Sequence, residues 1–127
     1  MKNPFIDLFA GCGGLSLGLE QAGFHPVYVN ELNADALNTY LVNRSEYKHL
    51  NLKEFHSKDI RELSGNKKNL EELSKNLKSK FNIKKGDLSL VVGGPPCQGY
   101  SGIGHRRSYK VDKEKIPSNY LYKEMYK

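Results

Sequence analysis

The chain has 127 residues, of which 38% are apolar and 27% are charged, and this balance is typical of a soluble globular domain rather than a disordered segment. No stretch approaches the roughly 18 apolar residues of a membrane span, the first residues lack the form of a signal peptide, and two cysteines are too few for a disulfide framework or a zinc site. We therefore expect one cytoplasmic domain, or part of one, whose net charge of +6 favours a polyanionic partner such as nucleic acid, although a solvated basic surface explains that charge equally well.

The amino-terminal third of the chain alternates between strand and helix patterns. An apolar run over residues 4–9 stops at a glycine, as a short buried strand does, and the leucines that follow predict a helix that ends at Gly23. Residues 25–31 predict a second strand, and residues 33–43 predict a second helix with Asn33 as its N-cap. This alternation with short connections predicts a parallel sheet that is covered by helices.

The middle and the end of the chain give weaker patterns. A short third strand or edge segment ends near Asp59. Residues 69–81 predict a helix with leucines at helical spacing and a capping-box-like pair of Asn69 and Glu72, and its lysine-rich face is interpreted as solvated surface. The tail, residues 118–127, also has a helical pattern.

A glycine-rich stretch, DLFAGCGG at residues 7–14, joins the first strand to the first helix. Glycines let the backbone approach a ligand, and the helix N-terminus offers free N–H groups. The spacing of Gly11 and Gly13 fits the start of a dinucleotide-binding fingerprint, but its third glycine is absent. A ligand-binding turn and a tight turn without a ligand both remain open.

Two acidic residues follow the second and third predicted strands. Glu31 lies roughly twenty residues beyond Gly11, where a carboxylate accepts hydrogen bonds from ribose hydroxyls in dinucleotide-binding folds. This pattern does not distinguish a nicotinamide dinucleotide from S-adenosylmethionine, and an ordinary surface glutamate is the alternative. Asp59 is placed to accept from an adenine amino group or, alternatively, to cap a helix before Ile60.

The apolar run at residues 87–94 predicts a central, buried strand and leads directly into a pair of prolines. Cys97 follows Pro95 and Pro96, which restrict the backbone, and precedes a stretch with several glycines. In an open α/β sheet, ligands bind beyond the carboxyl ends of the strands. The position of Cys97 therefore favours a reactive thiol over a packed one.

Taken in order, DLFAGCGG, an acidic residue after the second strand, and GGPPCQGYS resemble the motifs of the cytosine-C5 methyltransferases. The resemblance covers most of the chain, and residues 65–85 are its least distinctive part. It implies an α/β, Rossmann-like fold of S-adenosylmethionine-dependent methyltransferases, with a mostly parallel sheet that is incomplete after about four strands. It also implies that residues 1–127 are the amino-terminal part of a catalytic domain without its target-recognition region.

The resemblance implies a role for each matching residue, with Cys97 as the nucleophile and no metal. The cofactor-binding set is Phe9, Gly11, Gly13, Gly14, Glu31, Leu32, Asp59, Ile60 and Pro96. The set that faces DNA is Gln98, Ser101, Arg106 and Arg107. Leu32 replaces a bulkier side chain of many members, Ser118 stands where many have an arginine, and Cys12 is interpreted as a small filler of the cofactor turn.

The same resemblance implies S-adenosyl-L-methionine as cofactor, double-stranded DNA as substrate, and a complementary chain with the family's Glu-Asn-Val motif and target-recognition region, since residues 1–127 contain neither. We expect the isolated chain to be inactive. Three alternatives stay open: a nicotinamide-binding module, a non-catalytic or decayed fragment that keeps the fold, and a tRNA cytosine-C5 methyltransferase.

Overall fold

The structure is a computed structural model, and it describes residues 1–95. Within this range it contains four strands and four α-helices. In chain order they are β1 (Pro4–Leu8), α1 (Gly14–Gln21), β2 (His25–Asn30), α2 (Ala34–Val42), β3 (His56–Ser57), α3 (Ile60–Ser64), α4 (Lys67–Phe81) and β4 (Leu90–Gly93). Two short 3₁₀ helices, Lys48–Asn51 and Lys53–Phe55, connect α2 to β3. The predicted helix at residues 118–127 lies outside the described residues.

The four strands form one parallel sheet in the order β3-β2-β1-β4, which confirms the predicted α/β class. The strand order reverses at β1, because β2 and β3 lie on one side of it and β4 on the other. The carboxyl ends of β1 and β4 are adjacent, with Leu8 paired to Gly93. Open α/β sheets bind ligands at such a reversal point, so this edge is where a site is expected.

Helices cover the two faces of this sheet. The connections from β1 to β2 and from β2 to β3 run in one direction across the sheet, and right-handed crossovers therefore place α1 and α2 on one face. The connection from β3 to β4 runs in the opposite direction, so the same handedness places α3 and α4 on the other face. The core on the α2 side is Val29, Leu37, Tyr40 and Leu50. The core on the α4 side is Val27, Tyr28, Phe55, Leu73, Leu77 and Ile83.

The predicted N-cap of α2 is confirmed, and the predicted capping pair of α4 is wrong. Asn33 Oδ1 accepts hydrogen bonds from the amides of Asp35 and Ala36, both at 3.0 Å. Helix α4 begins at Lys67, two residues before the predicted start, because Asn66 caps it by accepting from the Lys68 amide at 3.0 Å. The side chain of Asn69 donates instead to the carbonyl of Glu62 in α3, at 2.7 Å.

Strand β4 differs from the central, buried strand that its apolar sequence predicts. Among residues 1–95 it pairs only with β1 and lies at the edge of the sheet, with Val91 47% exposed. An uninterrupted apolar run is typical of a strand with neighbours on both sides. None of the helices in the described part of the chain is long and apolar enough to span a membrane.

Candidate functional site

The turn between β1 and α1 has an unusual backbone. Phe9, Gly11 and Gly13 all have positive φ angles, of 53°, 60° and 99°. Glycine adopts this conformation without strain, but a phenylalanine there costs on the order of 1–2 kcal/mol. Surrounding hydrogen bonds hold the turn, since the Ala10 amide donates to the Asn30 carbonyl at 2.9 Å and the Gly13 amide to the Ala10 carbonyl at 3.2 Å. We call residues 9–13 the glycine loop.

Asn30, the last residue of β2, connects three segments at the carboxyl edge of the sheet. Its side chain is almost fully buried. Its Nδ2 donates to Ser57 Oγ at 3.1 Å and to the Lys58 carbonyl at 3.0 Å, and its Oδ1 accepts a long bond of 3.5 Å from the Phe9 amide. Sequence analysis missed this residue, although a polar side chain that ends an apolar strand is a usable signal.

Glu31 lies next to the glycine loop, and both of its carboxylate oxygens are held. Oε1 accepts from the Gly11 amide at 2.9 Å, and Oε2 accepts from the Asn33 amide at 2.7 Å. A carboxylate has about four acceptor positions, so each oxygen can still accept a bond from a ligand. The structure therefore brings Glu31 and Gly11 together, and Glu31 also ties the loop to the start of α2.

The space around this corner is open. A Cβ atom added at Gly11 or Gly14 would meet no described atom within 4 Å beyond the immediate chain neighbours. Leu32, directly after Glu31, is 66% exposed, which is unusual for a large apolar side chain. The edge thus combines open backbone, hydrogen-bond acceptors and an unburied apolar surface.

Asp59 and Ile60 follow β3 at the same edge of the sheet, but their side chains have separate roles. Asp59 caps α3 and accepts from Arg61 at the amide (2.9 Å), Nε (3.0 Å) and Nη2 (2.8 Å), and these bonds lower the pKa of its carboxyl group. This is the capping alternative of the sequence analysis. Ile60 is buried in the core, so only its backbone amide, in the first turn of α3, remains for a ligand.

Behind the glycine loop, Arg44 joins α1, α2 and the loop. This arginine follows α2 and is 5% exposed. Its Nε donates to Glu20 Oε2 at 3.1 Å, its Nη2 to the Gly13 carbonyl at 2.9 Å, and its Nη1 to the Tyr40 carbonyl at 3.2 Å. Its guanidinium also lies 3.8 Å from the centre of the Tyr40 ring. Sequence analysis did not identify this residue.

Asp7, the fourth of the five residues of β1, is a second buried charge that sequence analysis missed. Its side chain is fully buried, and neither carboxylate oxygen has a hydrogen-bond partner among the described residues. The nearby Tyr40 hydroxyl instead donates to Ser16 Oγ at 2.8 Å. Burial raises the pKa of Asp7 from 3.8 to about 6, opposed by Tyr40 and Arg44. A charged residue inside an apolar strand was the available signal.

Cys12 is exposed, so its interpretation as a small filler in the turn is wrong. The predicted residues Pro96, Cys97, Gln98, Ser101, Arg106 and Arg107 lie outside the described residues. Among residues 1–95, no three His, Cys, Asp or Glu side chains are grouped closely enough to hold a metal ion.

Comparisons with known proteins agree with this fold and motif order. The sequence profile of the family described as C-5 cytosine-specific DNA methylase matches residues 4–122. The type II methyltransferase M1.HphI of Haemophilus parahaemolyticus is 36% identical over 98% of this chain, and M.AgeI of Thalassovita gelatinovora is 39% identical over 80% of it. The DNA (cytosine-5)-methyltransferase PliMCI of Paracentrotus lividus is 35% identical over 94% of it.

This chain is much shorter than these relatives. It spans 28% of the length of M1.HphI, 20% of M.AgeI and 7% of PliMCI. The profile match nevertheless covers nearly all of the chain, and the parallel sheet with its glycine loop has the architecture that the motifs predict. The chain belongs to the C-5 cytosine-specific DNA methylase family.

Proposed function

We propose that this chain supplies the cofactor site and the nucleophile of a DNA (cytosine-5-)-methyltransferase that uses S-adenosyl-L-methionine. In this proposal it corresponds to the amino-terminal part of the catalytic domain. The observation that carries the proposal is the bond between the Gly11 amide and the Glu31 carboxylate at the reversal point of the sheet, in a chain of this family.

The donor set of this corner fits an adenosine-containing sulfonium cofactor. Glu31 has acceptor positions left for two ribose hydroxyls, and Leu32 offers exposed apolar surface for the adenine ring. Asp59 keeps acceptor capacity beside its bonds to Arg61, and Gly11 leaves room for close approach. When bound, the cofactor supplies an activated methyl group.

The thiol of Cys97 then makes cytosine reactive. Carbon 5 of the base is a poor nucleophile because the ring is electron-poor. A thiolate that adds to carbon 6 pushes electron density onto carbon 5, which can then accept the methyl group; a base removes the carbon-5 proton, and the sulfur leaves. The target base must leave the double helix to reach the thiol.

Addition to carbon 6 also needs a proton at nitrogen 3 of the base. Residues 1–127 contain no Glu-Asn-Val motif to provide it. General acid assistance is typically worth about 10²–10⁴ in rate. We therefore propose that activity requires a complementary segment, on this or another polypeptide, that carries this motif and a target-recognition region.

Calorimetry with S-adenosylhomocysteine tests the cofactor site directly. We expect the 127-residue chain to bind it, and Glu31→Ala to weaken binding by about ten- to a hundredfold, because two hydrogen bonds to ribose are lost. Glu46→Ala, which removes an exposed carboxylate after α2, is the matched control and should leave the affinity unchanged. Preferential binding of NAD by the wild-type chain would contradict the proposal.

A covalent trap tests the nucleophile. The chain is mixed with a segment that carries Glu-Asn-Val and a recognition region, and incubated with S-adenosylmethionine and a library of duplexes containing 5-fluorocytosine. Because fluorine at carbon 5 cannot leave as a proton does, the adduct persists. We expect an adduct only in the mixture, none with Cys97→Ser, and an unchanged yield with Cys12→Ser. Trapping on fluorinated tRNA instead of DNA would favour the tRNA branch.

A further inference from the structure

Burying the guanidinium of Arg44 costs desolvation free energy, and packing alone does not explain its place in the fold. Its only salt-bridge partner among the described residues is Glu20, at 3.0 Å, and the two side chains are 5% and 13% exposed. Buried ion pairs are weak contributors to stability, since desolvation offsets the attraction and apolar side chains of similar size often do as well. What such a pair provides is a defined arrangement of the groups it binds.

The guanidinium of Arg44 defines the position of one particular glycine. A Cβ atom at Gly13 would lie 2.5 Å from Nη2 and 2.6 Å from Nη1 of Arg44, so the guanidinium would have to move away from its present contacts. Gly13 therefore has two reasons to be glycine, its φ of 99° and the guanidinium packed against it. Arg44 thus occupies the side-chain position of Gly13 and binds its carbonyl at the same time.

Arg44 is only 5% exposed, so it acts mainly through the protein groups that it binds. Its contacts reach the loop at the Gly13 carbonyl, α1 at Glu20, and α2 at the Tyr40 carbonyl. Gly13 is also the N-cap of α1, and as a glycine it has no side chain to supply a capping bond. The Gly13 carbonyl also accepts the first helical bond, from the Leu17 amide at 2.9 Å, so Arg44 adds a second bond where the glycine loop meets α1.

We propose that Arg44 is a positioning residue for the cofactor loop: by holding the Gly13 carbonyl from behind, it fixes the loop conformation that presents Gly11 and Gly14 to the cofactor. The consequence for affinity rests on the proposed function. The consequence for the loop itself does not, since it follows from the contacts within residues 1–95.

The experiment compares Arg44→Ala and Arg44→Lys with the wild-type chain by amide hydrogen exchange and by calorimetry with S-adenosylhomocysteine. Leu77→Ala, in the core on the α4 side, is the control for a general loss of stability. We expect Arg44→Ala to speed exchange at residues 13–17 by about tenfold or more relative to residues 27–29 and to weaken binding by a similar factor. Arg44→Lys keeps the charge but reaches one acceptor at a time, so its effects on exchange and on affinity should be intermediate. This variant serves as the test if Arg44→Ala does not fold.

Leu77→Ala should accelerate exchange in both segments alike and leave the affinity of the folded chain unchanged. Equal acceleration in both segments for the Arg44 variants would overturn the positioning role. So would an affinity of the Arg44 variants equal to that of the wild-type chain, if the wild-type chain binds S-adenosylhomocysteine. If the Arg44 variants speed amide exchange at residues 13–17 but the wild-type chain binds no S-adenosylhomocysteine, the role of Arg44 in holding the loop is supported and the proposed cofactor site is wrong.

Discussion

Asp7→Asn provides a direct test of the buried charge beneath the glycine loop. The carboxyl group is fully buried, without a hydrogen-bond partner among residues 1–95, and burial raises its pKa from 3.8 to about 6. At about 1.4 kcal/mol for each pH unit, this rise corresponds to about 3 kcal/mol by which ionised Asp7 destabilises the fold. The folded state binds the proton more tightly than the unfolded state, so the penalty is absent below about pH 4, grows between about pH 4 and pH 6, and is constant above.

Urea denaturation followed by circular dichroism measures this penalty. The free energy of unfolding of Asp7→Asn, minus that of the wild type, should increase by about 2–3 kcal/mol between pH 4 and pH 8. Any constant effect of the amide cancels in this difference. Asp35→Asn, at an exposed position in the first turn of α2, is the control and should show no such increase. A difference for Asp7→Asn that is the same at pH 4 and pH 8 would refute the reasoning.

Three further predictions concern other described residues. Burial lowers the pKa of His49, so protonation of its ring below about pH 6.5 should destabilise the fold, against the opposing gain from Asp7. The melting temperature of His49→Gln minus that of the wild type, in which the Asp7 effect is common to both, should rise between pH 7 and pH 5; a constant difference would contradict it. Leu32→Trp should tighten binding of S-adenosylhomocysteine about two- to tenfold in calorimetry, because an exposed indole ring stacks on adenine better than a leucine side chain does. Weaker binding would argue against adenine at this side chain. The exposed thiol of Cys12 should react with iodoacetamide in the folded chain at a rate close to that in urea, as read by mass spectrometry, and strong protection would contradict its exposure.

Several features of the fold were predictable because they depend on neighbouring residues. The two strand–helix pairs at the start of the chain follow from apolar runs and glycine stops, and Asn33 caps α2 through amides two and three residues ahead. The proximity of Glu31 to Gly11 was also predictable, since the ends of adjacent parallel strands meet at one edge. The family itself was evident from the order of short motifs.

Other features depend on contacts between residues distant in the chain. Helix α4 begins at Lys67 with Asn66 as its N-cap, and Asn69 bonds α3 instead of capping α4, which the local pattern does not reveal. Among residues 1–95, β4 lies at the edge of the sheet because only β1 pairs with it, and its apolar sequence does not show which strands lie beside it.

The sequence by itself determined the class of the fold, the family, and the corner where Gly11 and Glu31 meet, because short-range patterns and strand-end geometry suffice for these. Only the tertiary structure decided that Arg44 fills the side-chain position of Gly13, 31 residues away in the chain, and that Asp7 is buried with no hydrogen-bond partner within residues 1–95. The physical reason is that the energy of a buried charge is set by the groups packed around it, and those groups are brought together only when the sheet and its helices assemble.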